Sequence, residues 1–219
     1  MDPAATGLRA VLTGDIVGSS RLTASFRREL SGVLKRCAKD TRKAFPGAVP
    51  YDLSVFRGDA WQLIVSDPSA ALRAALFFRA AVVERSPAGA RLDTRVAIGI
   101  ERIDFVPAGQ VAEGDGPAFR KSGAALDALG DQSRMTIAGP VANPPLAVAV
   151  TLIDAIVQEW TAPQARAVKG RLRGLTQADI AESWPKPISQ QAVGRHLQRA
   201  HWAAVDPALA WAEEVLKQP

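Results

Sequence analysis

Two aspartates in this chain stand where a carboxylate needs a reason. Asp15 follows the apolar run of residues 8–12, in the stretch T-G-D-I-V-G-S-S-R-L. A carboxylate at the end of a buried strand costs free energy unless something pairs with it. The partner can be a backbone amide, an arginine or a metal ion. Asp59 sits in R-G-D-A, between two short strand-like stretches. If the strand and the hairpin are neighbours, Asp15, Asp59 and the backbone carbonyl of Ile16 make an oxygen site for one or two divalent ions, which would hold a triphosphate. Gly18, Ser19 and Ser20 in the loop that follows, with the cations Arg57, Arg120 and Lys121, are then the candidate nucleotide contacts. The plainer alternative is that Asp15 caps its own loop through the amides of Gly18, Ser19 and Ser20, and that Asp59 is ordinary turn chemistry.

The residue inventory narrows the chemistry. Cys37 is the only cysteine, and His196 and His201 are the only histidines. An internal disulfide or a Cys/His metal cluster is excluded, so any metal is a hard ion such as Mg²⁺, Mn²⁺ or Ca²⁺. No histidine precedes residue 196, which argues against a Ser-His-Asp triad at Ser19 or Ser20. Cys37 on an apolar helix face reads as core. The 219 residues are 47% apolar, which suits one or two globular domains. No run is long and apolar enough to span a membrane, and the start M-D-P-A-A-T-G lacks the marks of a leader, so a cytoplasmic protein is expected.

A second constellation lies near the C-terminus: L-T-Q-A-D-I-A-E-S-W-P-K-P-I-S-Q-Q-A-V-G-R-H-L-Q-R-A-H-W. Thr176 is a good N-cap and Asp179, three residues on, completes a capping-box-like pair. Ser189 is a second N-cap, and Val193, Leu197 and Ala200 form an apolar stripe behind it. Two short helices joined by a tight turn, the second with a polar face, is a helix-turn-helix pattern. Thr176, Gln177, Ser189, Gln190, Gln191, Arg195, His196 and Arg199 are the candidate contacts to double-stranded DNA. Gln suits adenine and Arg suits guanine. Lys169, Arg171 and Arg173 suit phosphates. Residues 165–204 hold seven Lys and Arg against two acids, an excess of five that equals that of the whole chain. Trp160, Trp184, Trp202 and Trp211 read as the core of this helical part.

The elements that must position these groups follow from periodicity and punctuation. Strands are expected at residues 8–16, 51–57, 61–65, 92–100 and 134–138, and helices at 21–45, 68–85 and 117–129. The order β-α-β-β-α-β-α-β suggests one sheet with helices packed on a single face. Residues 139–145, G-P-V-A-N-P-P, hold three prolines and no periodicity. The boundary falls there, giving domains at 1–139 and 146–219 with a linker at 140–145. Everything after it reads as helix.

The ordered motifs also carry resemblances. L-T-Q-A-D-I-A…I-S-Q-Q-A-V-G-R-H-L resembles the helix-turn-helix of sigma-factor region 4 and of LuxR-type regulators, whose second helix reads the major groove; the W-P-K-P turn here is longer and more rigid than theirs. D-I-V-G-S-S-R-L, then G-D in a hairpin, A-L-R-A-A-L-F-F-R-A and R-V-A-I-G-I resemble the palm of class III nucleotidyl cyclases, whose two metal-binding acids match Asp15 and Asp59. The chain departs from that family at its base-reading lysine, here Val55. On the helix carrying G-x-x-x-N-x-x-x-R, Gly116 fits, but Arg120 and Ala124 replace the Asn and Arg. The full order, with G-P-A-F at residues 116–119 and the C-terminal motif, is similar to SatD-type proteins, although Ala60 stands where they often carry a third acid. The resemblance implies an α+β chain: a ferredoxin-like, cyclase-like palm followed by an all-α helix-turn-helix domain. It further implies a homodimer, and Mg²⁺ or Mn²⁺ with a nucleoside triphosphate if the palm is active. The expected function is a DNA-binding transcriptional regulator whose degenerate palm senses a nucleotide or mediates dimerisation. The alternative is a metal-dependent nucleotidyl cyclase or related phosphoryl transferase with a helix-turn-helix control module.

Overall fold

A computed structural model describes residues 7–217. The start behind the no-leader expectation lies, through Thr6, outside the described residues. The protein is a mixed α+β fold of five strands and eight α-helices among the described residues. The strands are β1 (Arg9–Ile16), β2 (Ser54–Phe56), β3 (Ala60–Val65), β4 (Thr94–Glu101) and β5 (Met135–Ala138). β1 is apolar on both faces, as a central strand must be. The sheet order is β2-β3-β1-β4-β5. β1 runs antiparallel to both neighbours, β2 is antiparallel to β3, and β5 is parallel to β4.

Helices cover both faces, not the single face that the order of elements suggests. α1 (Ala24–Ala44) and α2 (Ala71–Glu84) share a core with Ala10, Leu12, Leu63, Val65 and Ile98. The alternate residues Val11 and Ile64 instead meet Ala118 and Phe119 of α3 (Pro117–Asp127). Thr13 and Ser122 share a 2.7 Å hydrogen bond on that side. Gly99 permits this packing: a Cβ there would lie 2.4 Å from the Ala118 carbonyl oxygen. The connection β4–α3–β5 crosses the sheet in the same sense as β3–α2–β4, from a strand of the same direction, yet on the opposite face. Its hand is therefore opposite, so beside a right-handed β3–α2–β4 it is of the uncommon left-handed kind. Strand and helix order alone cannot predict that.

α2 is buried on all sides: twelve of its fourteen residues are inaccessible. A helix apolar all round must be sandwiched. Among the C-terminal helices α4 (Pro144–Gln158), α5 (Ala162–Leu172), α6 (Gln177–Glu182), α7 (Gln190–Arg199) and α8 (Trp202–Lys217), its outer side meets chiefly α5 and also α8, and Arg79 reaches Asp154 of α4. One hydrophobic core thus runs from the sheet into the helical part. Within the expected linker, Asn143 caps α4 by accepting from the Leu146 amide at 2.9 Å, and Pro144 begins the helix. Trp160 is buried and its Nε1 donates to the Ala200 carbonyl at 3.0 Å. Trp202 is buried too, but Trp211 is 42% exposed and is not core. Cys37 is buried, where burial pushes its thiol up to about 11.

A buried ionic network joins the layers. The Arg79 guanidinium on α2 is inaccessible and donates to Asp93 at 2.9 Å and to Asp154 of α4 at 2.5 Å. Arg134 adds a 2.6 Å contact from its guanidinium to Asp93, and its amide donates to Asp154 at 2.7 Å. Burial alone would raise the Asp93 carboxyl; Arg79, helped by Arg91 and Arg134, overcomes that and holds it at about 2.

Candidate functional site

The first candidate site is a cavity of about 590 Å³ at the end of β1. Thr94 fixes the strand end: its hydroxyl donates to the Asp15 carbonyl at 2.7 Å and accepts from Trp61 Nε1 at 2.9 Å. Gly14 leaves room for this, since a Cβ there would lie 2.2 Å from the Arg95 carbonyl oxygen and 2.5 Å from the Trp61 ring. Asp15 faces Arg95 across the β1–β4 ladder. Arg95 grips it with both arms, Nε to Oδ1 at 2.8 Å and Nη2 to Oδ2. The partner of the strand-end carboxylate is therefore an arginine, not the amides of Gly18, Ser19 and Ser20. That hydrogen bond to Asp15 raises the Arg95 guanidinium above its ordinary range.

Beyond Asp15, Gly18 takes a left-handed conformation (φ 62°) and turns the chain into residues Ser19–Arg21. The Ser19 hydroxyl donates to Asp59 Oδ2 at 2.5 Å. Asp15, Ile16, Gly18 and Asp59 do line one cavity, together with Arg21, Arg95, Asp131 and Arg134. Ser20, Arg57, Arg120 and Lys121 do not line it. Arg57 sits in the hairpin turn at φ 53°. Arg120 is exposed and bonded to Asp115 at 2.7 Å, and Lys121 lies on exposed α3 surface. For Arg120 and Lys121 the reason is the far-face position of α3.

The donors as arranged do not fit a divalent ion. Both Asp15 oxygens accept from a cation, and one oxygen of Asp59 accepts from Ser19. An ion entering here would first have to displace Arg95. Arg21, Arg95, Asp131 and Arg134 were invisible to motif reading, because lone charges acquire meaning only once the strand register is known.

The second candidate site is the α6–α7 pair. Thr176 Oγ1 accepts from the Asp179 amide at 3.2 Å, and the Asp179 carboxylate accepts from the Thr176 amide at 2.9 Å. Hydrogen bonds from the Thr176 hydroxyl and amide hold the Asp179 carboxyl below its ordinary range. Ser189 accepts from the Ala192 amide at 3.2 Å. Both caps stand where the sequence puts them. Ile180, Ala181, Val193, Leu197 and Ala200 are buried, and Gly170 on α5 lets Ile180 approach closely. Gln190, Gln191, Arg195 and Arg199 are exposed, as are Thr176, Gln177 and Ser189.

His196 is different. It is half-buried and stacks on Trp184, with ring centroids 5.6 Å apart and planes 9° from parallel. Burial, and then Arg199 and Arg195, lower its imidazole below the ordinary value. The basic residues also divide. Arg166 and Lys169 pair with Glu84 on α2, and Arg171 donates to the Leu175 carbonyl at 2.8 Å. Lys169 therefore does not face outward as a phosphate contact. Arg173, Lys186, Arg195 and Arg199 have no carboxylate partner among the described residues.

Compared with models of known families and with curated proteins, the chain matches neither a family nor a relative.

Proposed function

We propose that this chain is a DNA-binding transcriptional regulator. In this reading α6 and α7 are a helix-turn-helix, and β1 to β5 with α1 to α3 are a cyclase-like palm that senses a nucleotide and pairs two copies in the cytoplasm. The observation that carries the reading is the outward face of α7. It presents Gln190, Gln191, Arg195 and Arg199 with no acid to neutralise them, on a helix held from behind by Val193 and Leu197. Laid in a major groove, Gln190 and Gln191 meet adenine edges and Arg195 meets guanine. Thr176, Gln177 and Ser189 meet phosphates. Two copies would read two half-sites.

The palm reading draws support from the order β2-β3-β1-β4, that of a split βαβ sheet, and from Asp15 and Asp59 opening on one cavity. Asp15 gripped by Arg95 favours a sensing or scaffolding palm over a metal-dependent cyclase. The test is fluorescence anisotropy of a labelled duplex pool at several salt concentrations. Affinity should fall linearly on a log–log plot with salt and weaken in Arg195→Ala. Salt-independent binding, or none, would sink the reading.

A further inference from the structure

The C-terminal segment is not the only basic region. α1 carries seven Lys and Arg against two acids, the same excess of five. Lys35, Lys39 and Lys43 recur every fourth residue and so share one stripe, with Arg42 beside it. Like charges at that spacing oppose the helix rather than support it. The nearest acid on α1, Asp40, does not relieve them, because it pairs with Arg85 at 2.6 Å and with Lys169 at 3.6 Å. The three lysines have no carboxylate partner among the described residues.

This stripe forms one wall of an open cleft of about 650 Å³. The other wall is Tyr51, Asp52 and Leu53, with Ala38 at the base. Arg42 is set in place by Asp52 at 2.9 Å and by the Pro50 carbonyl at 3.3 Å. The cleft thus joins four cations and one carboxylate to an aromatic ring and an aliphatic floor. Its volume is that of a small-molecule site. It shares no lining residue with the cavity at β1. Lysines meet phosphate as mobile point charges, while a tyrosine face accepts a planar base.

We propose that this cleft binds a nucleoside polyphosphate without a metal ion, the phosphates against Lys35, Lys39 and Lys43 and the base against Tyr51. The proposal stands whether or not α7 binds DNA.

The test is calorimetric titration of the full chain with ATP in EDTA, with inorganic tripolyphosphate as the second probe. The triple variant Lys35→Gln, Lys39→Gln, Lys43→Gln changes only exposed side chains and carries the decision. It should weaken ATP by about tenfold, the sum of three exposed charge contacts. Tyr51→Ala should weaken ATP and leave tripolyphosphate unchanged. Three results would overturn the proposal: no ATP binding to the wild type, ATP binding that survives the triple variant unchanged, or a single-stranded oligonucleotide held by the lysines where ATP is not.

Discussion

The cavity at the end of β1 and the outward face of α7 are both rich in arginine, and they use it oppositely. In the cavity Arg95 holds Asp15 and Arg134 holds Asp93, and of the lining arginines Arg21 alone has no carboxylate partner among the described residues. On α7, Arg195 and Arg199 answer to nothing within the described chain. An arginine closed on a carboxylate has its fork filled and its field cancelled, so it organises the fold. An arginine left open retains both for a partner. The difference teaches where to look for binding: not where charges are most numerous, but where they lack internal partners.

The sharpest way to break this contrast is at its closed end. Arg79→Met removes the cation shared by Asp93 and Asp154, two carboxylates that are both almost inaccessible. Stranding buried charge in this way costs about 3–5 kcal/mol. Urea denaturation should show a loss of that size, and Asp154→Asn a smaller one. Acid gives the same lesson without mutation. Asp93 is depressed to about 2, so its contribution is complete above the unfolded carboxyl range near pH 4. It is lost as pH falls from about 4 towards 2, and melts across that window should show it. A melt indifferent to Arg79 would mean that the buried network does not hold the layers together.

At the open end, Arg195→Ala with Arg199→Ala should leave urea stability within about 0.5 kcal/mol, as surface changes do. The same variant should reduce the salt slope of duplex binding by up to about two and weaken affinity by ten- to a hundredfold. A variant that unfolds would show these arginines to be structural after all.

Arg95 lies between the two extremes, and its variant tests whether it stands in for a metal. Arg95→Ala should cost about 1 kcal/mol, because the pair is partly exposed. It should also release Asp15, so that Mn²⁺ binding by calorimetry rises above the wild type and disappears again when Asp15→Asn is added. Mn²⁺ binding through Asp15 in the wild type would erase the distinction between closed and open arginines.

How far these sites were legible in the sequence depends on the range of the interaction. Thr176, Asp179 and Ser189 act within one turn of their own helices, so their spacing is the structure. The meeting of Asp15 and Asp59 needed only that the hairpin lie beside β1, which alternating strands and helices suggest. The closing of Arg95 on Asp15 needed the register of strands 80 residues apart. Nothing local encodes it. The face taken by α3 depended on Gly99 and on an uncommon crossover, and that choice carried Arg120 and Lys121 away from the cavity. The basic stripe of α1 is countable in the sequence, but only the cleft that it lines gives it a role.

His196 gives the smallest effect, and it tests the contrast within a single helix. It lies between the open arginines in sequence, yet it packs inward on Trp184. Its folded pKa is lowered, so neutral imidazole is the form the fold prefers. The stability it lends is present above the unfolded value near 6.5 and declines as pH falls through the folded value. Protonation would put a third positive charge beside Arg195 and Arg199 in a half-buried place. With only two histidines in the chain, the titrating NMR resonance can be assigned by its absence in His196→Gln. That variant should remove the pH dependence of α6–α7 stability below about pH 6.5 and leave duplex affinity at neutral pH unchanged. A large loss of affinity instead would move His196 to the open side, as a base or phosphate contact in its own right.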